Sequence, residues 1–178
     1  MNFQTRLAVS CLKTGGVISN PTDTIQGLTC LPKFESSMAK ILQLKRRSSA
    51  KGLILLASDV RYFIDYVEDA SLLGNITMGT QPTTYLLKAN ERASKLLTGG
   101  FDTIALRLTN NQLITNLCVA TNSALVSSSA NITSKRSATS ILDLKKFFSD
   151  KLDFIISPKT YNAQASKIIN LQTGEKIR

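Results

Sequence analysis

The chain has 178 residues, 43% hydrophobic and 19% charged, with a formal charge of +10 and not one histidine. That balance suits one domain with a sizeable core rather than a disordered segment, and no apolar run approaches the ~20 residues needed to span a bilayer. The missing imidazole excludes Ser-His and Cys-His nucleophiles and HExxH metal sites, while the positive charge favours phosphate-rich partners, a nucleotide or a nucleic acid. The three scattered cysteines, Cys11, Cys30 and Cys118, suit neither a disulfide framework nor a thiolate zinc site. Met1 to Arg6 shows no signal-peptide pattern, so a cytoplasmic location with no membrane partner is expected.

In chain order, Leu7 to Lys13 reads as a helix stopped by Gly15-Gly16, followed by the short apolar run Val17-Ile18. Pro21 ends that run and opens the polar loop Pro21 to Gln26. A clearer helix covers about Ser36 to Arg46, with Met38, Ile41 and Leu42 at helical spacing. Gly52 to Ala57 is continuously apolar, the pattern of a strand buried on both faces. Tyr85 to Leu87 and Ile104 to Leu108 read as strands, Leu113 to Val119 as a helix, and Ala124 to Val126 as a buried strand leading into a loop, Ser127 to Thr133. Ser140 suits the N-cap of a helix through Phe148. Phe154 to Ile156 and Ile168 to Leu171 complete the strands. The alternation predicts a single α/β domain over residues 1–178, with ligands gathered at loops beyond strand ends.

Three segments carry candidate chemistry. Lys45-Arg46-Arg47 and Lys51 cluster at a helix end before a buried strand. Helix-dipole complementation accounts for one or two of these cations, and a phosphate-binding corner accounts for the whole set. Ser127-Ser128-Ser129-Ala130-Asn131 is either turn chemistry or a set of hydroxyls and an amide for substrate oxygens; a Ser-Lys pair also stays open. Pro21-Thr22-Asp23-Thr24 alone is a polar turn. There is no P-loop and no dinucleotide-binding glycine motif.

Taken together, Pro21 to Leu28 resembles the PT-[ED]-T-x-[YF]-GL segment of the YrdC family in its TsaC-like, single-domain form. Lys45 to Ile54 resembles that family's K-x-R-P-x-x-K-G-L-I element, and Ser129-Ala130-Asn131 its S-x-N. Phe101 to Arg107 and Ser166 to Leu171 follow in the same order, and the resemblance covers about residues 8 to 178. It departs at Thr80-Gln81-Pro82-Thr83-Thr84, where the family has W-P-G-P-x-T, and at Gln26, Thr29 and Ser48, which replace an aromatic residue, a glycine and a proline.

The resemblance implies a mainly parallel, mixed and twisted α/β sheet with flanking helices around a basic cavity. It implies synthesis of threonylcarbamoyl-AMP and pyrophosphate from L-threonine, bicarbonate or CO2, and ATP. That product feeds the threonylcarbamoyl modification of tRNAs reading ANN codons. By the same resemblance Lys45, Arg47, Ser129 and Asn131 form a catalytic tetrad. Lys51, Thr84 and Arg178 hold the nucleotide, while Thr24, Ser127 and Ser166 face threonine. Mg2+ is expected with the phosphates, with no metal ligands from the protein. Implied partners are tRNA or double-stranded RNA and the downstream tRNA threonylcarbamoyl transferase complex. The alternative is an RNA-binding member of the fold with little or no synthase activity.

Overall fold

The computed structural model describes residues 1–161 and 166–177. The elements are α1 (Phe3–Lys13), β1 (Ile18–Pro21), β2 (Gln26–Cys30), α2 (Glu35–Lys45), β3 (Ile54–Ala57), β4 (Thr83–Lys88), α3 (Lys95–Thr98), β5 (Thr103–Leu108), α4 (Gln112–Thr121), β6 (Leu125–Ser129), α5 (Ile141–Phe148), β7 (Phe154–Ile155) and β8 (Lys167–Asn170). Short 3-10 turns cover Ser49–Lys51, Val60–Tyr66 and Ala70–Asn75. Among the described residues no helix is long and apolar enough to cross a membrane.

Local chemistry sets most helix limits. The Asn2 side chain accepts from the Thr5 N–H at the start of α1, Asn111 accepts from Leu113 and Ile114 at the start of α4, and Ser140 caps α5 as its sequence predicts. Arg46 and Asn122 leave α2 and α4 through the left-handed region, ending each helix within one residue.

One eight-stranded sheet runs in the order β7-β1-β2-β6-β3-β5-β4-β8. It is mixed, as expected, but not mainly parallel: β1/β2, β2/β6, β3/β6 and β4/β5 are antiparallel, against parallel β1/β7, β3/β5 and β4/β8. The reason is the β1–β2 hairpin, closed by the Thr22–Ile25 turn, with β6 inserted antiparallel between β2 and β3. Helix α1 packs on α4 and α2 on α3, and Leu55, Leu56, Leu125 and Val126 fill the centre of the core with no exposed surface.

Two expectations fail at the sheet centre. Pro21 still belongs to β1, and Gln26 to Cys30, read as loop and unassigned chain, form a strand. Ser127 to Ser129 likewise continue β6 rather than opening a loop. Both segments are polar, yet β2 lies between β1 and β6, Ser127 pairs with both Thr29 and Ile54, and Ser128 and Ser129 pair with β2, so neighbouring strands rather than hydropathy place them.

Candidate active site

The strand register lays out a floor. Ser127 pairs with Ile54, Ile54 with Ala105, Ala105 with Leu86 and Leu86 with Asn170, so five strands present one residue each in a single row across the sheet. All five line a cavity of about 860 Å3. Its walls carry Arg47 and Lys51 from the segment after α2, Thr22 and Thr24 from the hairpin turn, Ser129 from β6, Thr84 from β4, Arg107 from β5 and Ser166 before β8.

Seven of the ten residues chosen from sequence therefore meet at one hollow: Thr24, Arg47, Lys51, Thr84, Ser127, Ser129 and Ser166. Lys45 and Asn131 stand behind the wall instead of in it. Arg178 lies outside the described residues.

Lys45 is the last residue of α2, only 2% exposed, and its ammonium turns inward. Nζ donates to the Ser129 carbonyl, to Ser129 Oγ at 3.2 Å, and to the Asn131 carbonyl and Oδ1 at 3.0 Å each. Four acceptors and no donor surround it, the environment of an ammonium with three hydrogens to place. Ser129 Oγ in turn donates to Asn131 Oδ1 at 2.5 Å, and the Asn131 amide donates to the carbonyls of Ile132 and Lys135. Thr133 closes the joint by donating its N–H and hydroxyl to the Lys45 carbonyl, at 2.8 and 2.9 Å. A lysine placed for the helix dipole would reach into solvent; this one organises the S-x-N segment.

Burial, with the nearby Arg47 guanidinium as a smaller contribution, pulls the Lys45 ammonium down to about 7. An unfolded lysine titrates near ~10.4, so between those values the unfolded chain binds more protons and stability rises with pH. Chemical denaturation of the wild type and Lys45→Met at pH 7 and 9 checks this. The wild-type stability minus that of the variant is expected to grow with pH, by at most ~1.4 kcal/mol per unit; a flat or falling difference refutes it.

Arg47 anchors itself by donating from Nη2 to the carbonyls of Lys51 and Gly52 at 3.2 Å each, while its buried Nε has no partner among the described residues. Arg107, 7% exposed, pairs with Asp23 of the hairpin turn at 2.9 Å. Burial lowers its pKa and the Asp23 carboxylate opposes that shift. Across the cavity, Thr84 Oγ1 donates to Ser166 Oγ at 3.2 Å, so β4 carries its hydroxyl to the start of β8. The Thr22 hydroxyl holds the turn, accepting from the Thr24 and Ile25 amides and donating to the Ile25 carbonyl at 2.7 Å.

Sequence reasoning missed the apolar wall of Leu53, Leu97 and Phe101, and the participation of Thr22. Phe101 is 62% exposed at the rim and follows Gly99-Gly100; an aromatic residue between a glycine pair and a strand was the available signal. The altered Thr80-Gln81-Pro82 segment lines a second hollow of about 500 Å3, with Asp23 on the opposite side.

Fold and cavity together define a mixed-sheet α/β protein with a cavity lined by cations and hydroxyls. More narrowly, the chain belongs to the Sua5/YciO/YrdC family, whose model, described as "Telomere recombination", matches residues 10–178. It is 38% identical over 177 residues to the threonylcarbamoyl-AMP synthase of Idiomarina loihiensis, covering 96% of this chain and 95% of that one. Among solved structures, P. abyssi Sua5 complexed with L-threonine superposes with a TM-score of 0.82 at 24% identity. The match covers 94% of this chain and 51% of that longer one. E. coli YciO superposes with a TM-score of 0.80 at 24% identity, over 99% and 90% of the two chains.

Proposed function

We propose that this chain is a threonylcarbamoyl-AMP synthase, a nucleotidyltransferase joining L-threonine, bicarbonate or CO2, and the AMP portion of ATP. The observation that carries the reading is the meeting of three distant segments, the Thr22–Thr24 turn, the Arg47–Lys51 corner and Ser127–Ser129, around one cavity. The name borne by relatives such as the Idiomarina loihiensis protein supports it.

In this reading the threonine amine and bicarbonate condense to a carbamate with loss of water. A carbamate oxygen then attacks the α-phosphorus of ATP, the bond to the bridging oxygen breaks, and pyrophosphate leaves. Chemistry of this kind rests on positioning and charge stabilisation, which a site without histidine is able to supply. Arg47 offers a planar fork and Lys51 a mobile charge to the phosphates, alongside Thr84 and Arg178. Lys45 and Asn131 hold Ser129 in place from behind. Thr24, Ser127 and Ser166 give hydroxyls to the threonine end. Mg2+ enters as the companion of the ATP phosphates: the described residues include no cluster of three or more carboxylate, cysteine or histidine side chains to hold it alone. The product's destination, tRNA and its threonylcarbamoyl transferase complex, makes the cytoplasm the proposed site of action.

Pyrophosphate release from ATP by the purified protein is expected only when threonine and bicarbonate are both present. Release that ignores either omission contradicts the assignment. The second reading, an RNA-binding protein with little synthase activity, draws on the charge of +10. It predicts RNA affinity that falls steeply with salt as counterions are released, and negligible affinity at low salt removes it.

A further inference from the structure

Gln26, which stands where the family pattern has an aromatic ring, has no exposed surface, and its whole amide is engaged. Nε2 donates to Ser19 Oγ at 2.9 Å and to the Ile156 carbonyl at 3.0 Å, and Oε1 accepts from the Tyr161 hydroxyl at 3.3 Å. Its backbone carbonyl accepts from the Ala130 N–H at 2.9 Å, between Ser129 and Asn131. One residue thus ties three elements together: the strand leading out of the Thr22–Ile25 turn, the S-x-N segment, and the chain after β7.

Tyr161 reaches this joint from 135 positions away in sequence. Besides Gln26, its phenol has the Thr22 and Lys159 backbones and the Asp23 carboxylate as polar neighbours. Burial pushes the phenol up to about 12, so it remains a donor at any physiological pH. Thr22 and Thr24, on the turn it covers, line the cavity; Tyr161 itself does not. The half-buried ring therefore backs the turn, and its hydroxyl fixes the Gln26 amide that the next residue of the turn leads into. A hydrogen bond of this kind contributes only modestly to stability, but its loss leaves a buried carbonyl oxygen unpaired beside the cavity wall.

We propose that Tyr161 is a positioning residue for the amino-acid substrate: its hydroxyl, acting through Gln26, sets the threonine-side wall formed by Thr22 and Thr24. The inference rests on the synthase reading above and adds a residue that lies outside the cavity lining. It separates the cavity into two halves under different control, with the phosphate side held by the Arg47–Gly52 corner and the amino-acid side held by the Tyr161–Gln26 pair.

Tyr161→Phe removes one oxygen and leaves the ring. Steady-state pyrophosphate release is measured for the wild type and the variant, with threonine and ATP varied in turn, beside thermal unfolding of both. Expected is a threonine KM raised about fivefold to tenfold, an ATP KM within twofold of wild type, and a midpoint lowered by no more than a few degrees. An unchanged threonine KM overturns the proposal, and so does an equal rise in both KM values, which marks general loosening. Wild-type protein without threonine-dependent release overturns the synthase reading and this inference with it. Active wild type with an indifferent variant overturns this inference alone.

Discussion

Alanine at Arg47 is expected to lower threonine- and bicarbonate-dependent pyrophosphate release by at least about a hundredfold, the scale seen when a preorganised donor to developing charge is removed. Alanine at Lys45 is expected to lower it as well, by releasing Ser129 and Asn131 from behind the wall. The two variants should differ in stability. Arg47 lines the cavity and spends only Nη2 on the Lys51 and Gly52 carbonyls, so Arg47→Ala should cost the modest stability of those hydrogen bonds, about 1 kcal/mol, and less than Lys45→Ala. Lys45→Ala takes the donor from four oxygens in a dry joint and leaves a void, costing roughly 2–4 kcal/mol in addition to the activity. Arg47→Lys keeps the charge but loses the bidentate geometry, and should fall between wild type and Arg47→Ala. Steady-state turnover beside thermal unfolding checks all three. Near-normal turnover in Arg47→Ala would remove the phosphate corner from the account.

The second large effect belongs to Gly99. Its φ is +68°, and a Cβ there would lie 2.5 Å from both the Ala50 carbonyl oxygen and the Gly52 nitrogen. Those are backbone atoms of the loop that carries Lys51 and anchors Arg47. A Cβ at Gly52, also at positive φ, would lie 2.5 Å from the Leu97 carbonyl oxygen, and Leu53 N–H to Leu97 O and Gly100 N–H to Ala50 O lock the two turns together. Only glycine permits the interlock. Gly99→Ala combines backbone strain with overpacking and should cost about 2–5 kcal/mol. Because the Ala50 carbonyl and the Gly52 nitrogen on either side of Lys51 must shift, the ATP KM should rise as well, while the threonine KM moves less. Chemical denaturation and steady-state kinetics read the two consequences. A fully stable Gly99→Ala would show that the turns are not in register as described.

The contrast between what sequence made legible and what it hid follows one physical line. Helices and apolar strands announced themselves through periodicity, and Ser140 caps α5 as its side-chain chemistry dictates, while the Asn111 and Asn122 ends of α4 went unread. Strand β2 and the end of β6 did not, because Gln26, Gly27, Thr29 and Ser127 are buried by neighbouring strands rather than by their own apolarity, and Ser128 and Ser129 are held by pairing with β2. The cations and hydroxyls of the cavity were legible as residue types. Which of them face the cavity was not: Lys45 sits in the charged run with Arg47 and Lys51, yet it alone turns away from the cavity into the Ser129–Asn131 joint. The Tyr161–Gln26 contact joins positions too far apart for any local pattern, and the apolar wall at Leu97 and Phe101 comes from a four-residue helix and a glycine turn whose meaning depends on Gly52.

The central claim is that one cavity builds a threonylcarbamoyl group onto AMP. The most direct test supplies carbon-labelled bicarbonate together with ATP labelled at the α-phosphate and follows both labels into product. With threonine present, the account predicts a single adenylate carrying both labels in equal amount, and none when threonine is withheld. Label from ATP appearing in AMP with no carbon label at any stage, from folded protein, would contradict it.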